Sequence, residues 1–188
     1  MTLFRKLVLV ILLVVPTLSA AQTTPPDAET TTKLQDFIAQ YGVVIIRGFS
    51  TIGEVKGLYG TSITIDSKEF TNASTGSIQY GITIEVTETT RVERDHTSYI
   101  DYDELESLLN GLDYIGQVDR SATRLDAFQA DYRTRGDFQV SVFSSGNKTL
   151  VAVQSGSSGS TSAYFKLEKL GEIRDLILQA KMKLDSLQ

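Results

Sequence analysis

The sequence predicts an α+β fold in which antiparallel sheets carry helices on one face, with a duplicated ββββα arrangement. From Lys33 onward the chain has no proline, and all 14 of its glycines lie in this part. Such a composition is typical of many strands joined by glycine turns, because proline would remove hydrogen-bond donors from a sheet. Segments with strand patterns come in two runs, and an amphipathic helix pattern follows each run.

The first repeat, residues 33–120, is predicted to open with a short helix. Leu34, Phe37, Ile38 and Tyr41 fall at helical spacing before Gly42. Four strand segments follow this helix, and a turn at 72–76 separates the second from the third. They are a buried apolar strand from 43–46 toward 55, alternating strands at 62–66 and 80–86, and a short strand at 98–100.

A helix beginning at Asp101 is predicted to complete the first repeat, since Asp101 and Glu104 stand at the spacing of a capping box. Its apolar stripe consists of Leu105, Leu108, Leu109, Leu112 and Ile115.

The second repeat, residues 121–188, predicts strands at 127–132, 138–142, 149–153 and 162–167 and then a helix. The apolar stripe of this helix consists of Leu170, Ile173, Ile177, Ala180, Leu184 and Leu187. A shift of 65 residues places Leu105 on Leu170 and Leu108 on Ile173. The repeated order of elements indicates an internal duplication within a single domain, residues 33–188.

The first 21 residues have the pattern of a secretory signal peptide. Arg5 and Lys6 precede an apolar run from Leu7 to Val15, and small residues follow it at 19–21. The run is shorter than the roughly 20 residues of a membrane-spanning helix, so we expect cleavage rather than a stable membrane anchor. Residues 22–32 carry no large apolar side chain, and a flexible linker is expected there. The sequence therefore predicts an exported protein, periplasmic or secreted.

Composition narrows the chemistry further. The net charge is −5, and removing residues 1–21 leaves 16 basic and 23 acidic residues, a net charge of −7. A surface this acidic argues against nucleic acid as a partner, because phosphate binding requires cationic side chains. The chain has no cysteine and one histidine. No catalytic, metal-binding or cofactor-binding residue is assigned from the sequence, and no cofactor is expected.

The densest acidic cluster, Asp101, Asp103, Glu104 and Glu106, leads directly into a helix. Capping of that helix is favoured over metal binding, because the cluster lacks the glycine-containing frame of a calcium loop. A glycosidase-like carboxylate pair stays open as an alternative, because separation in space is not visible in a sequence.

Four other short patterns are interpreted as local structure or surface chemistry. His96 is predicted to be a solvated turn residue, and the segment 156–159 a flexible hairpin loop without the spacing of a nucleophile elbow. Arg135-Gly136-Asp137 is predicted to be a hairpin turn. Two glycosylation sequons begin at Asn72 and Asn147, and they matter only in a eukaryotic source.

The order ββββα-ββββα resembles the arrangement in Whirly and PUR-type single-strand nucleic-acid binders. The resemblance is topological, and no functional residue is carried over from it. The segments SYIDYDELESLLNGLDYI and YRTRGDFQVSVFSSG also resemble uncharacterised secreted bacterial proteins, a likeness that implies no activity.

Two functions are therefore expected from the sequence. The first is an exported, non-catalytic binding or structural module of the cell envelope or periplasm, whose partner is an unidentified protein or small molecule. The alternative is a secreted hydrolase that uses carboxylates, with Asp101, Asp103 or Glu85 as candidates.

We predict no measurable binding of single-stranded nucleic acid near physiological salt. The only candidate basic patch is Arg120, Arg124, Arg133 and Arg135, and Asp126, Asp131 and Asp137 lie within the same stretch. At about 0.15 M salt the Debye length is about 8 Å, so scattered charges are screened. Fluorescence anisotropy with a labelled oligonucleotide measures this, and micromolar or tighter binding that weakens steeply with salt would contradict the prediction.

Overall fold

A computed structural model describes residues 31–89 and 93–188 as two four-stranded antiparallel sheets and three α-helices. The first sheet, in the order β1-β2-β3-β4, contains β1 Ile45–Lys56, β2 Thr61–Asn72, β3 Ile78–Thr89 and β4 Glu93–Asp101. The second, in the order β5-β6-β7-β8, contains β5 Gln129–Arg133, β6 Phe138–Ser145, β7 Lys148–Ser155 and β8 Thr161–Lys166. The helices are α1 Lys33–Ile38, α2 Leu105–Ile115 and α3 Lys169–Asp185. The α+β class is confirmed, and the duplicated ββββα arrangement fits.

Each sheet has an apolar inner face and a more polar outer face, as alternation along a strand requires. In the first sheet Ile63 pairs with Val55 and Val86, and Ile82 pairs with Ile100. These residues are fully buried in one core that both sheets share. The second sheet contributes Phe138, Val140, Val142, Val151, Val153, Ala163 and Phe165.

Each long helix lies on the sheet formed by the other half of the chain. The helix α2 follows the first sheet in sequence but lies mainly against β5 and β6 of the second sheet, whereas α3 lies mainly against β1 and β2 of the first. The Tyr132 hydroxyl donates to Ser107 Oγ at 2.9 Å, and the Ser67 hydroxyl donates to the Ala180 carbonyl at 3.2 Å. Each sheet is thus covered by the helix that follows the other sheet.

A glycine allows close approach at each of these helix–sheet contacts. A Cβ atom at Gly111 of α2 would lie 2.2 Å from Tyr132 Cδ2, and one at Gly53 of β1 would lie 2.8 Å from Leu176 Cδ2. Gly53 also lies at the bulge where the β1–β2 register shifts. Any larger residue at either position would push the helix away from the sheet.

The short helix α1 lies against β3 and β4, over the outer face of the first sheet. Leu34 is fully buried there against Gly81 of β3. The residues before and after Gly81 in the chain, Tyr80 and Ile82, face the opposite side of the sheet. The helix ends at Ile38, and Tyr41 is almost fully exposed, so its predicted place on the apolar helical face is wrong.

The start of β1 differs from the buried strand that its apolar residues predict. The strand begins at Ile45, and Val44 and Ile46 are more than half exposed. Gly48 and Ser50 line a groove together with Lys183 and Leu184 at the C-terminal end of α3. Leu187 follows the end of α3 and is half exposed, so it does not belong to the buried stripe.

The predicted signal peptide and all but the last two residues of the predicted linker lie outside the described residues. Thr32, the last of the linker, is buried, and its side chain accepts a hydrogen bond from the Gln35 N–H at 3.1 Å. No helix in the described ranges has the length and apolar character needed to cross a membrane.

Leu108 and Ile173 are fully buried on the apolar faces of α2 and α3. Truncating either residue to alanine is expected to lower the free energy of unfolding by about 2–4 kcal/mol, since transfer and cavity costs add. Urea denaturation measures the change, and Glu106→Ala on the exposed face of α2 is the control. A loss below about 0.5 kcal/mol for L108A or I173A would contradict the packing described.

Candidate functional site

Asp101 caps a helix other than the one that follows it. The residue is fully buried, and its carboxylate accepts hydrogen bonds from the N–H groups of Lys33 and Leu34 at 2.9 and 3.0 Å. A 3₁₀ turn, Tyr102–Glu104, follows Asp101 and receives no hydrogen bond from its side chain. The predicted capping of its own helix is therefore wrong, because the N-terminus of α1 occupies both carboxylate oxygens.

Asp103 and Glu104 form ion pairs that tie the same region to the β5–β6 turn. Asp103 lies 2.8 Å from Lys33 Nζ and 3.2 Å from Arg135 Nη2, and Glu104 Oε1 accepts from the Arg135 N–H at 3.0 Å. The hydrogen bond from Lys33 lowers the pKa of Asp103 below its ordinary value, and Arg135 adds to this effect. The ion pair of Asp103 with Lys33 and Arg135 therefore stabilises the folded protein at neutral pH, and this stabilisation is lost as the pH falls through the lowered pKa of Asp103. Glu106 is exposed on α2.

Glu85 does not converge with the other two carboxylates that the hydrolase alternative names, whereas Asp101 and Asp103 both lie near Arg135 Nη2, at 3.9 and 3.2 Å. In the β3–β4 ladder Glu85 pairs with Thr97, whereas Asp101 pairs with Gly81. The two rows are four residues apart along β3, which corresponds to about 13 Å at the rise of a strand. That spacing exceeds the roughly 5–9.5 Å between the carboxyl groups of glycosidases. Asp101 is also enclosed beneath α1.

His96 lies within β4 and is half-buried, so its prediction as a solvated turn residue is wrong. Its Nδ1 atom lies 2.8 Å from the Ser155 hydroxyl, which is 2.7 Å from the hydroxyl of Ser98. Ser155 is fully buried, so this hydrogen-bonded chain joins β4 to the end of β7 rather than presenting a nucleophile.

The arginines of the predicted basic patch are separated by their partners. Arg133 ends β5 and donates to Gln139 Oε1, whereas Arg135 lies in the next turn and contacts Asp103. Arg120 donates to the carbonyls of Asp126 and Gly146. The predicted turns at 135–137 and 156–159 are both confirmed, as connections between β5 and β6 and between β7 and β8.

A groove of about 280 Å³ runs across the outer face of the first sheet, beside α1. Alternate residues of β2, β3 and β4 form its floor, which places their side chains on the same side of the sheet. The register aligns Asp66, Thr83 and Tyr99 in one row and Thr64, Glu85 and Thr97 in the next. Arg47, Phe49, Lys68 and Phe70 complete the lining. We refer to this surface as the outer groove.

Lys68 organises one side of the outer groove. Its Nζ atom lies 2.7 Å from Asp66 Oδ2 and 4.9 Å from the centre of the Phe49 ring. The side chains of Lys68 and Asp66 are only 18% and 20% exposed, so the pair is partly shielded from solvent. The cation fixes Asp66 and Phe49 in place through an ion pair and a cation–π contact.

The second oxygen of Asp66 lacks a partner. Asp66 Oδ1 is buried and has no hydrogen-bond partner among the described residues. An unpaired buried acceptor is unfavourable, so an N–H or O–H group that reached it would stabilise it. Hydroxyl groups of Thr64, Thr83, Thr97 and Tyr99 lie in the same groove, and Phe49 is 71% exposed at its side. This arrangement suits a small polar molecule that has several hydroxyl or amide groups and an apolar face.

The sequence indicates the polar alternation of these strands but not the groove. Thr64 and Asp66 were expected on the polar side of β2, and Glu85 on the polar side of β3. Nothing in the sequence relates Lys68 to Phe49, because their pairing depends on the register between β1 and β2. The described residues contain no group of three or more histidine or acidic side chains placed to hold a metal ion.

No protein-family model and no curated protein matches the chain. The resemblances to Whirly and PUR-type proteins and to secreted bacterial proteins therefore stay predictions.

Replacing Asp101 by alanine is expected to lower the free energy of unfolding by roughly 2–4 kcal/mol, because the N–H groups of Lys33 and Leu34 in α1 lose a charged acceptor. Asp103→Ala is the matched control, since it removes a neighbouring carboxylate whose side chain is 49% exposed. That change is expected to cost less than about 1 kcal/mol. Urea denaturation of both variants measures the difference, and equal losses would contradict the assignment of Asp101 as the cap.

Proposed function

We propose that the chain is an exported, non-catalytic binding module of the cell envelope or periplasm, and that its ligand is held in the outer groove. Asp66 lines the outer groove and has a buried oxygen without a hydrogen-bond partner, and this observation carries the proposal. The N-terminal pattern of Arg5, Lys6 and the following apolar run supports export.

Neutral oligosaccharides are the ligand class that matches the outer groove best. Sugar hydroxyl groups donate hydrogen bonds to a carboxylate oxygen and also exchange them with threonine and tyrosine hydroxyls. The apolar face of a sugar ring packs against an aromatic side chain, and Phe49 offers such a ring at the edge of the groove. The Lys68–Asp66 pair leaves little net charge on that side, which favours an uncharged ligand.

A binding role accounts for the carboxylates better than hydrolysis does. Asp101 and Asp103 are occupied by α1 and by cationic side chains, and Glu85 lies far from both along the sheet. Of the three candidate carboxylates only Glu85 lines the outer groove, where a further carboxylate, Asp66, is its diagonal neighbour across β2 and β3. Their backbones are about 7–8 Å apart at such positions. Release of shorter sugars during a binding experiment would favour this second function.

We expect chitotetraose or cellotetraose to shift the amide resonances of β2, β3 and β4 residues that line the outer groove in a ¹⁵N-labelled sample. Asp66→Asn is expected to weaken the affinity about tenfold, because the best acceptor for a sugar hydroxyl is lost. Isothermal titration calorimetry measures the affinities of the two proteins.

Glu54→Gln is the matched control for this experiment. Glu54 is an exposed carboxylate on β1 that pairs with Thr64 but does not line the groove. Its replacement should leave the affinity unchanged. The proposal fails if neither sugar shifts the groove resonances, or if E54Q and D66N weaken binding equally.

A further inference from the structure

The turn between β1 and β2 displays a tyrosine in a backbone conformation that tyrosine rarely adopts. Tyr59 and Gly60 have φ values of 58° and 74°, and the Thr61 N–H donates to the Leu58 carbonyl at 3.1 Å. This is the geometry of a type I′ turn, whose first central position favours asparagine, aspartate or glycine. A bulky side chain in the left-handed region is strained, and such strain is found most often at functional sites.

The second sheet holds this turn in place. The Leu58 N–H donates to the Tyr164 carbonyl at 2.6 Å, and the Tyr164 N–H donates to Thr61 Oγ1 at 3.2 Å. The Thr61 hydroxyl in turn donates to the Leu58 carbonyl at 2.7 Å. Tyr59 is thereby fixed at the junction of the two sheets, and its position is set before any ligand arrives.

Two tyrosine rings meet at this junction. The ring centres of Tyr59 and Tyr164 are 6.5 Å apart, with an angle of 69° between the planes. Tyr59 is 76% exposed and Tyr164 is 38% exposed, so the edge-to-face pair presents aromatic surface to solvent. An exposed ring held by an edge-to-face neighbour provides a rigid platform for stacking.

A groove of about 820 Å³ begins at Tyr59 and passes along the second sheet. Lys148 and Lys166 line it from β7 and β8, and neither forms an ion pair with a described residue. Asn147 also lines it with an amide that donates and accepts hydrogen bonds, and Glu168 lines it with a carboxylate that accepts them. We refer to this surface as the tyrosine corner. It lies between the β1–β2 turn and the second sheet and shares no lining residue with the outer groove.

We propose that the tyrosine corner binds an acidic saccharide, with a sugar ring stacked on Tyr59 and the sugar carboxylate paired with Lys148 and Lys166. The two lysines give this groove an excess of positive charge on a chain whose net charge is −5. This second site goes beyond the proposed function, since it differs in lining and in ligand charge.

Titration of the protein with tetragalacturonate tests the proposal, and the methyl ester of the same oligosaccharide is the matched ligand without charge. Calorimetry should show binding of the acid that weakens with added salt, and at least about tenfold weaker binding of the ester. Lys148→Gln combined with Lys166→Gln should remove this difference between the two ligands. Equal affinities of the unmodified protein for acid and ester would overturn the assignment of the lysines.

Tyr59→Gly separates a binding role from a structural one. Glycine relieves the left-handed conformation, so the melting temperature should stay the same or rise, while the affinity for tetragalacturonate should fall about tenfold. Tyr114→Ala, at another tyrosine that is 73% exposed, should change neither quantity. An unchanged affinity in Y59G, or an equal loss in Y114A, would overturn the proposal.

Two further measurements distinguish this site from its alternatives. Asp66→Asn should leave the affinity for tetragalacturonate unchanged, so failure of the outer groove and failure of the tyrosine corner give different results. A labelled single-stranded oligonucleotide should not bind the protein. If it binds and tetragalacturonate displaces it, the tyrosine corner is a nucleic-acid site and the proposal is overturned.

Discussion

Burial of each sheet against the helix that follows the other sheet is the contact on which the rest of the structure depends. The helix α2 covers β5 and β6, and α3 covers β1 and β2, so neither half of the chain buries its own apolar sheet face alone. Gly111 and Gly53 allow the two approaches, because a side chain at either position would meet Tyr132 or Leu176. The two sheets and the helices share one continuous hydrophobic core, and the inner faces of both sheets are buried in it. Any ligand must therefore be held on the outer faces or at the junction between the sheets.

Asp101 has a comparable role on the outside of the first sheet. Its buried carboxylate holds the start of α1, and Arg135 extends the contact to the β5–β6 turn through Asp103 and Glu104. The helix α1 covers this part of the outer face of the first sheet, and the outer groove is the uncovered part beside it. The two candidate sites thus arise from different constraints. The outer groove results from a helix that covers only part of a sheet face, and the tyrosine corner results from hydrogen bonds that join the sheets.

Much of the fold could be predicted from the sequence because periodicity reports local structure. The alternating apolar residues of β3 and the helical spacing in α2 and α3 marked the buried faces correctly. Partners distant in sequence could not be found in this way. Asp101 stands before a helix in sequence, yet its carboxylate bonds to Leu34, 67 positions away. The true capping box, Thr32 with Gln35, fell at the boundary of the predicted linker and was missed. Lys68 near Phe49 and Tyr59 near Tyr164 depend on register and on sheet docking, which residue spacing does not encode.

The packing of each long helix on the other sheet also sets the order in which the chain can become stable during synthesis. The strands of the first sheet are complete at Asp101, but α3, which covers β1 and β2, begins only at Lys169. Until those last residues leave the ribosome, the apolar side of this sheet has no permanent cover, and an exposed surface of this kind is prone to aggregation. Contacts between residues so far apart also slow folding, because a long loop must close before they form. Loss of α3 would therefore destabilise the first sheet, although the strands of that sheet are translated long before α3.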